Sequence, residues 1–262
     1  MKETVAIAHP NFALVKYWGK KDSNQNRPAM SSISVTVDSM ISKTKIFKNS
    51  QSNHHQLFIN GVEESDLSKI LPPLEYLSEF SSTNEYLVIE SQNNFPTSSG
   101  LASSASGIAS LVTAYDAHYD LCLDINHRAK ASMLGSGSAP RSLIGGFVLM
   151  DHKDDYRCSQ ILQEPDWPLE VLICIVSRQP KSISSREGMR TSKKTSPIYQ
   201  DWLDINHKHI NLALNAIKTK NMAALENVAE ENCKLMHEVM KTSIPSISYM
   251  TDITYSCLSE IE

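Results

Sequence analysis

Residues Asn93–Gly107 read NNFPTSSGLASSASG, and nine of these fifteen residues are Gly, Ala or Ser. Such a tract is either a flexible linker or a loop that needs small side chains. Its flanks argue against a linker. EYLVIES (residues 85–91) reads as a strand just before it. In GIASLVTAYDAHYDL (residues 107–121), just after it, Ile108, Leu111, Val112, Tyr115 and Tyr119 recur at helical spacing. A strand, a Gly/Ser turn and a helix start bring free backbone N–H groups and the positive end of a helix dipole to one point, which suits an anion. Small side chains let phosphate oxygens reach the backbone, and Ser hydroxyls donate to phosphate or ligate Mg²⁺. The spacing alone fits a structural turn equally well, and no G-x-x-x-x-G-K-[ST] pattern is present.

Working outward, TVAIAHPNFALVKYWGK (residues 4–20) predicts a strand, a turn at His9-Pro10-Asn11, and a return to apolar sequence. SSISVTVD (residues 31–38) alternates Ile33, Val35 and Val37 with Ser and Thr, the pattern of a half-buried strand. SKTKIFK and HQLFING extend this as a meander, with Asn60-Gly61 as a hairpin turn. DLSKILPPLEYLSEF reads as a helix interrupted at Pro72-Pro73. DINHRAKASML predicts a helix capped by Asp124, and LIGGFVLM a strand. The apolar run LEVLICIVS (residues 169–177) predicts a well-buried strand that holds Cys174 as a small core residue. Residues 196–220 and 221–241 read as helices with charged outer faces. A last helix carries Ile247, Met250, Thr254, Cys257 and Ile261 along one face. The mixture without regular alternation predicts an α+β fold in two lobes, residues 1–180 and 181–262.

Composition narrows the function. The 262 residues carry a formal net charge of −4, which gives no basic surplus for nucleic acid or an acidic membrane. No run of about 18 apolar residues is present to span a bilayer. Five scattered cysteines without a C-x-x-C pair argue against a zinc site or a disulfide framework and suit a cytoplasmic setting. The histidines form no metal pattern. His207 and His209, two apart on a helix, read as solvated, as do Glu230 and Glu231. Trp18 reads as a core residue, and a symmetric homodimer is the base-rate expectation for assembly.

PTSSGLASSASG (residues 96–107) resembles the P-x-x-x-G-L-x-S-S-A signature of the GHMP small-molecule kinases, with Pro96, Gly100, Leu101, Ser103, Ser104 and Ala105 at the signature positions. Three further stretches resemble the diphosphomevalonate decarboxylase branch of that superfamily: NFALVKYWGK (residues 11–20), GSGSAPRS (residues 135–142), and SSREGM with TSPIYQDW (residues 184–189 and 195–202). The resemblance implies a GHMP-kinase-like fold with a ferredoxin-like C-terminal lobe. It also implies ATP-dependent decarboxylation of mevalonate 5-diphosphate with Mg²⁺. By the same resemblance the glycine-serine loop cradles the ATP triphosphate through Pro96, Ser98, Gly100, Leu101, Ala102, Ser103 and Ser104, and Ser104 also ligates the metal. Asn93 and Asn94 line the nucleotide pocket or simply build the turn. Arg141 holds the carboxylate that leaves as CO₂, a task that suits a forked guanidinium. Ala13, Tyr17, Lys20, Ser136, Gly137, Ser138 and Arg186 are assigned to the substrate, and Ser185 and Lys16 to the reacting centre. On residue type alone, solvated lysines are the better reading of Lys16 and Lys20, since Lys is usually exposed.

Three departures from the family pattern stand out. Pro140 stands where Cys is usual, and Met30 where Asn is frequent. The third is the family's aspartate in a D-A-G-like turn. No Asp-Ala-Gly occurs, and Asp252 lies on the wrong segment. The reading therefore expects a C-terminal lobe that lacks its last strands and that turn. It leaves two rivals, a related kinase acting on a mevalonate-like alcohol without CO₂ release, and a non-catalytic binding paralogue.

Overall fold

The computed structural model describes residues 2–22, 25–83, 85–96, 100–177 and 183–261. Among the described residues there are two sheets and seven α-helices. Strands β1 (Glu3–Ala8) and β2 (Asn11–Val15) follow each other across the His9-Pro10 turn but join different sheets. The first sheet has the order β1-β4-β7-β5-β6, with β4 Ser42–Lys48, β5 Gln56–Ile59, β6 Val62–Glu64 and β7 Leu87–Asn93. The second has the order β2-β3-β8-β9, with β3 Ser32–Thr36, β8 Phe147–Asp151 and β9 Arg157–Leu162.

The first sheet is not the expected meander. β5 and β6 form a hairpin through Asn60 and Gly61, both at positive φ, as a tight hairpin turn requires. The chain then crosses back through α1 (Leu71–Ser78), so that β7 runs parallel to β5 and fills the gap beside β4. Parallel neighbours need such a crossover, and α1 supplies it. Pro72 and Pro73 occupy the first turn of α1 and do not interrupt it. At that position the missing N–H costs no helical hydrogen bond.

The quoted loop ends in α2 (Ser103–His118), which lies across the first sheet. Ile108, Leu111, Val112 and Tyr115 are buried in one cluster with Ile46, Leu87 and Ile89. Two buried hydroxyl pairs seat the helix close on β4: Ser42 with Ser106 at 2.6 Å, and Thr44 with Ser110 at 2.6 Å. Helix α3 (Ile125–Gly135) begins as expected at Asp124, whose carboxylate accepts from the N–H groups of Asn126 and His127. It leads into a 3₁₀ turn, Ala139–Leu143, in which Ala139 packs in the same cluster as Ala105 and Ile108. The loop that follows α3 is thereby held beside the start of α2.

Helices α4 (Ser185–Thr195), α5 (Tyr199–Lys218) and α6 (Met222–Lys241) cover the second sheet. Val15, Ile33 and Phe147 of that sheet share a core with Ile210, Ile217, Leu225 and Val228. Trp18, Met30, Met189, Trp202 and Met236 form another shared core. Trp18 is the core residue its sequence suggests, and Met30 is buried beside it. The expected division at residue 180 falls outside the described residues, and hydrophobic clusters join the chain on either side of it.

Two expectations fail. Residues 168–177 form no strand, and Cys174, Leu172 and Ile175 are exposed. Among the described residues no neighbouring strand pairs with this run, and an apolar sequence without a partner makes no sheet. The last helix, α7 (Asp252–Ile261), begins later than expected and buries no residue, whereas Ile247 belongs to the preceding turn and is buried under α6.

Candidate active site

The strand β3 corrects a sequence expectation in a way that defines the site. Ser32 and Ser34, the polar half of the alternation, are fully buried. They face Arg141, which is only 2% exposed. Arg141 Nε donates to Ser34 Oγ at 2.9 Å and to Asn11 Oδ1 at 3.2 Å, Nη2 donates to Asn11 Oδ1 at 3.0 Å, and Nη1 donates to Ser32 Oγ. Asn11 is fixed in turn through Nδ2, which donates to Ser142 Oγ at 2.7 Å and to the Ser138 carbonyl. By the donor inventory of a guanidinium, this cage leaves one N–H on Nη1 and one on Nη2. No carboxylate among the described residues pairs with Arg141. Its burial without a counter-charge pulls its pKa down. A desolvated cation in a neutral cage is an arrangement that an incoming anion completes.

Tyr17 stands beside this cation. Burial raises the pKa of its phenol, and the charges of Arg141 and Arg186 and a hydrogen bond with Ser138 oppose the rise. The turn Ser136-Gly137-Ser138 passes so close that a Cβ on Gly137 would lie 2.6 Å from the Tyr17 hydroxyl and 3.0 Å from the Asn26 carbonyl. Glycine is required there by contact with the neighbours. Lys20 is half-buried, and its pKa falls to about 8, first through desolvation and then through repulsion from Arg186. Ala13 pairs with Ser34 across β2 and β3, beside the Arg141 cage. Pro140 sits in the first turn of the 3₁₀ segment, where a missing N–H is harmless. The structure therefore brings together Ala13, Tyr17, Lys20, Gly137, Ser138, Arg141 and Arg186, with Ser136 3.4 Å from Ser138.

Other assigned residues lie elsewhere. Lys16 is exposed, between buried Val15 and Tyr17, and its charge acts on the Cys233 thiol of α6. Ser185 opens α4 next to Arg186 and bonds to the Tyr249 hydroxyl. Asn93 Oδ1 accepts from Ser42 at 2.5 Å, and Asn94 bridges to the backbone of Ile41 and Ser39. Their side chains build the turn, which was one of the two open readings.

At the start of α2, Gly100 has φ +92° and Ala102, the residue before the helix, has φ +57°. No side chain caps this helix, and its first turn holds no acidic residue. The leading N–H groups therefore meet an anion without competition. Ser104 is exposed there and Ser103 half-buried. Ser98 lies outside the described residues. No cluster of three potential metal-ligating side chains occurs among the described residues. The residues present fit a Mg²⁺ held chiefly by phosphate oxygens and water.

Asn11, Ser32, Ser34 and Ser142 were not singled out from sequence. The alternation of Ser with Ile and Val suggested a solvent face, and the signal that corrects it is the buried arginine, which only tertiary contact reveals. His209 was also misread. It is fully buried, whereas His207 is exposed.

Positive charge gathers at Arg141, Lys20 and Arg186, and the uncapped start of α2 is a second place that suits an anion. Comparison with known proteins gives the family. Residues 8–160 match the diphosphomevalonate decarboxylase-like N-terminal domain, and residues 171–262 match the mevalonate 5-diphosphate decarboxylase C-terminal domain. The diphosphomevalonate decarboxylase of Candida albicans is 32% identical over 100% of this chain and 78% of its own length. The one from Saccharomyces cerevisiae is 32% identical over 98% of this chain and 70% of its own. The crystal structure of mevalonate diphosphate decarboxylase from Staphylococcus aureus superposes with a TM-score of 0.86 at 33% identity, covering 98% of this chain and 80% of that one. The structure of MDDEF in complex with MVAPP, AMPPCP and magnesium gives 0.89 at 30% identity, over 99% and 81%. The chain belongs to the diphosphomevalonate decarboxylase family.

Proposed function

We propose that this protein decarboxylates mevalonate 5-diphosphate to isopentenyl diphosphate with Mg-ATP. The observation that carries the reading is Arg141, a buried guanidinium with two N–H groups left over and no carboxylate partner among the described residues. It grips the carboxylate that becomes CO₂ and so fixes the breaking C–C bond, a positioning contribution to catalysis. Lys20, Arg186, Tyr17 and the Ser136–Ser138 turn receive the diphosphate. A bound diphosphate offsets the desolvation and the Arg186 repulsion that lower the Lys20 pKa. The α2 start, with Gly100 to Ser104, receives the nucleotide phosphates. Ser104 provides a hydroxyl for Mg²⁺, and Ser185 one beside Arg186. ATP supplies the phosphoryl group for the tertiary alcohol, whose departure accompanies loss of CO₂.

The named ligands of the MDDEF complex fit this division into two anion sites. A cytoplasmic location and a symmetric pair of chains belong to the same reading. Free cysteines support the first, and base rate alone supports the second. No helix among the described residues is long and apolar enough to cross a membrane.

The test is CO₂ release from carboxyl-labelled mevalonate diphosphate with Mg-ATP, measured together with ADP. Equal amounts of both are expected. ADP without CO₂ would make the protein a kinase, and neither product a binding protein.

A further inference from the structure

His209 of α5 is fully buried, and the reaction as drawn above makes no use of it. A directed chain of hydrogen bonds runs through it. The backbone N–H of Lys16 donates to Asn232 Oδ1 at 2.8 Å. A backbone N–H can only donate, so the amide oxygen faces Lys16 and the Asn232 amino group faces His209 Nδ1, 3.1 Å away. Nδ1 is therefore the acceptor, and the imidazole proton resides on Nε2. That nitrogen lies 3.6 Å from Glu231 and has no hydrogen-bond partner among the described residues.

The chain acts on a strand that needs it. β2 is the edge of its sheet and pairs only with β3. Its pairing is irregular between Ala13 and Val15, so the ladder alone fixes its end poorly. Val15 packs among Ile210 and Val228, which holds the strand down but does not set its position along its own axis. The bond from Asn232 to Lys16 does set it. The next residues are Tyr17, Trp18, Gly19 and Lys20, two of which face the anion pocket.

We infer that His209 and Asn232 are positioning residues that fix the register at which β2 presents Tyr17 and Lys20 to the diphosphate end of the substrate. His209 orients the Asn232 amide, and Asn232 holds the strand. The identity of the ligand rests on the proposed function, whereas the geometry does not.

The test compares His209→Leu, which removes the acceptor, with His209→Asn, whose Oδ1 stands as many bonds from Cβ as Nδ1 does and replaces it. In His209→Leu the KM for mevalonate diphosphate and the Kd for inorganic pyrophosphate rise about tenfold, while the KM for ATP stays within about twofold, and His209→Asn recovers most of the loss. Unchanged values in His209→Leu, or an equal rise for ATP, overturn the inference. If His209→Leu does not fold, the imidazole ¹⁵N shifts of the wild-type protein decide. An unprotonated Nδ1 supports the inference, and a protonated Nδ1 at neutral pH overturns it. A wild-type protein that releases no CO₂ but loses pyrophosphate affinity on His209→Leu refutes the decarboxylase reading and leaves this one standing.

Discussion

Arg141 and Lys20 show how single side chains set the chemistry of the pocket. Arg141 is held by neutral groups alone, so its charge is free to act on a ligand. Arg141→Gln is expected to lower CO₂ release by at least about a hundredfold, since a fully desolvated charge-assisted contact is lost. Nucleotide affinity, measured by fluorescence titration, should stay within about twofold, because the α2 start is a separate anion site. An equal loss of both would make Arg141 a structural residue. Lys20 titrates near pH 8 in the free protein. A bound diphosphate favours the ammonium form, so binding near that pH takes up protons and affinity falls as pH rises above about 8. Calorimetry in buffers of different ionisation enthalpy measures this uptake, and Lys20→Met should abolish it. In the free protein the sign is the reverse. The lowered pKa means that charged Lys20 destabilises the fold at low pH, and this cost is relieved as pH rises from about 8 towards the unfolded value of 10.5.

Among the elements, the turn between α3 and the 3₁₀ segment tolerates little added bulk. A Cβ at Gly137 meets the Tyr17 hydroxyl and the Asn26 carbonyl, while one at Gly145 meets nothing within 4 Å. Gly137→Ala is therefore expected to displace Tyr17, to cost about 1–3 kcal/mol of stability, and to raise the KM for the diphosphate substrate. Gly145→Ala should change neither. Thermal unfolding and steady-state kinetics of the two variants test the contrast. The elements were unevenly legible. α2, α3, α5 and α6 follow from apolar periodicity, because each covers a hydrophobic surface with one face. The strand expected over residues 169–177 does not form, because apolar composition marks a residue that seeks burial and says nothing of whether a partner is there. The Pro72-Pro73 pair was legible as a breaker but not as a helix start, since both roles follow from the same missing N–H.

For the molecule as a whole, one hydrophobic core draws on both ends of the chain. Trp18 lies early in the chain and Trp202 late, yet both belong to one cluster, and the Trp202 indole donates to the Trp18 carbonyl at 2.9 Å. Unfolding by urea should therefore follow a single transition, with tryptophan fluorescence and helical circular dichroism superimposing. Two separated transitions would show that residues 183–261 unfold apart from the second sheet.

The residue types at the pocket were determined by the sequence alone. The Gly-Leu-x-Ser-Ser-Ala loop before a helical repeat marks an anion site, and GSGSAPRS marks a tight turn that ends in an arginine. These are local facts, since small residues, glycines and helix starts act within a few positions of themselves. Tertiary structure alone decided that Ser32 and Ser34 serve Arg141 from more than a hundred residues away, that Lys16 is exposed while Tyr17 is buried and Lys20 half-buried, and that His209 is buried. A serine on a strand and a histidine on a helix look the same in sequence whether they meet water or a buried partner. Which they meet depends on what the rest of the chain places against them, and that follows from packing at long range.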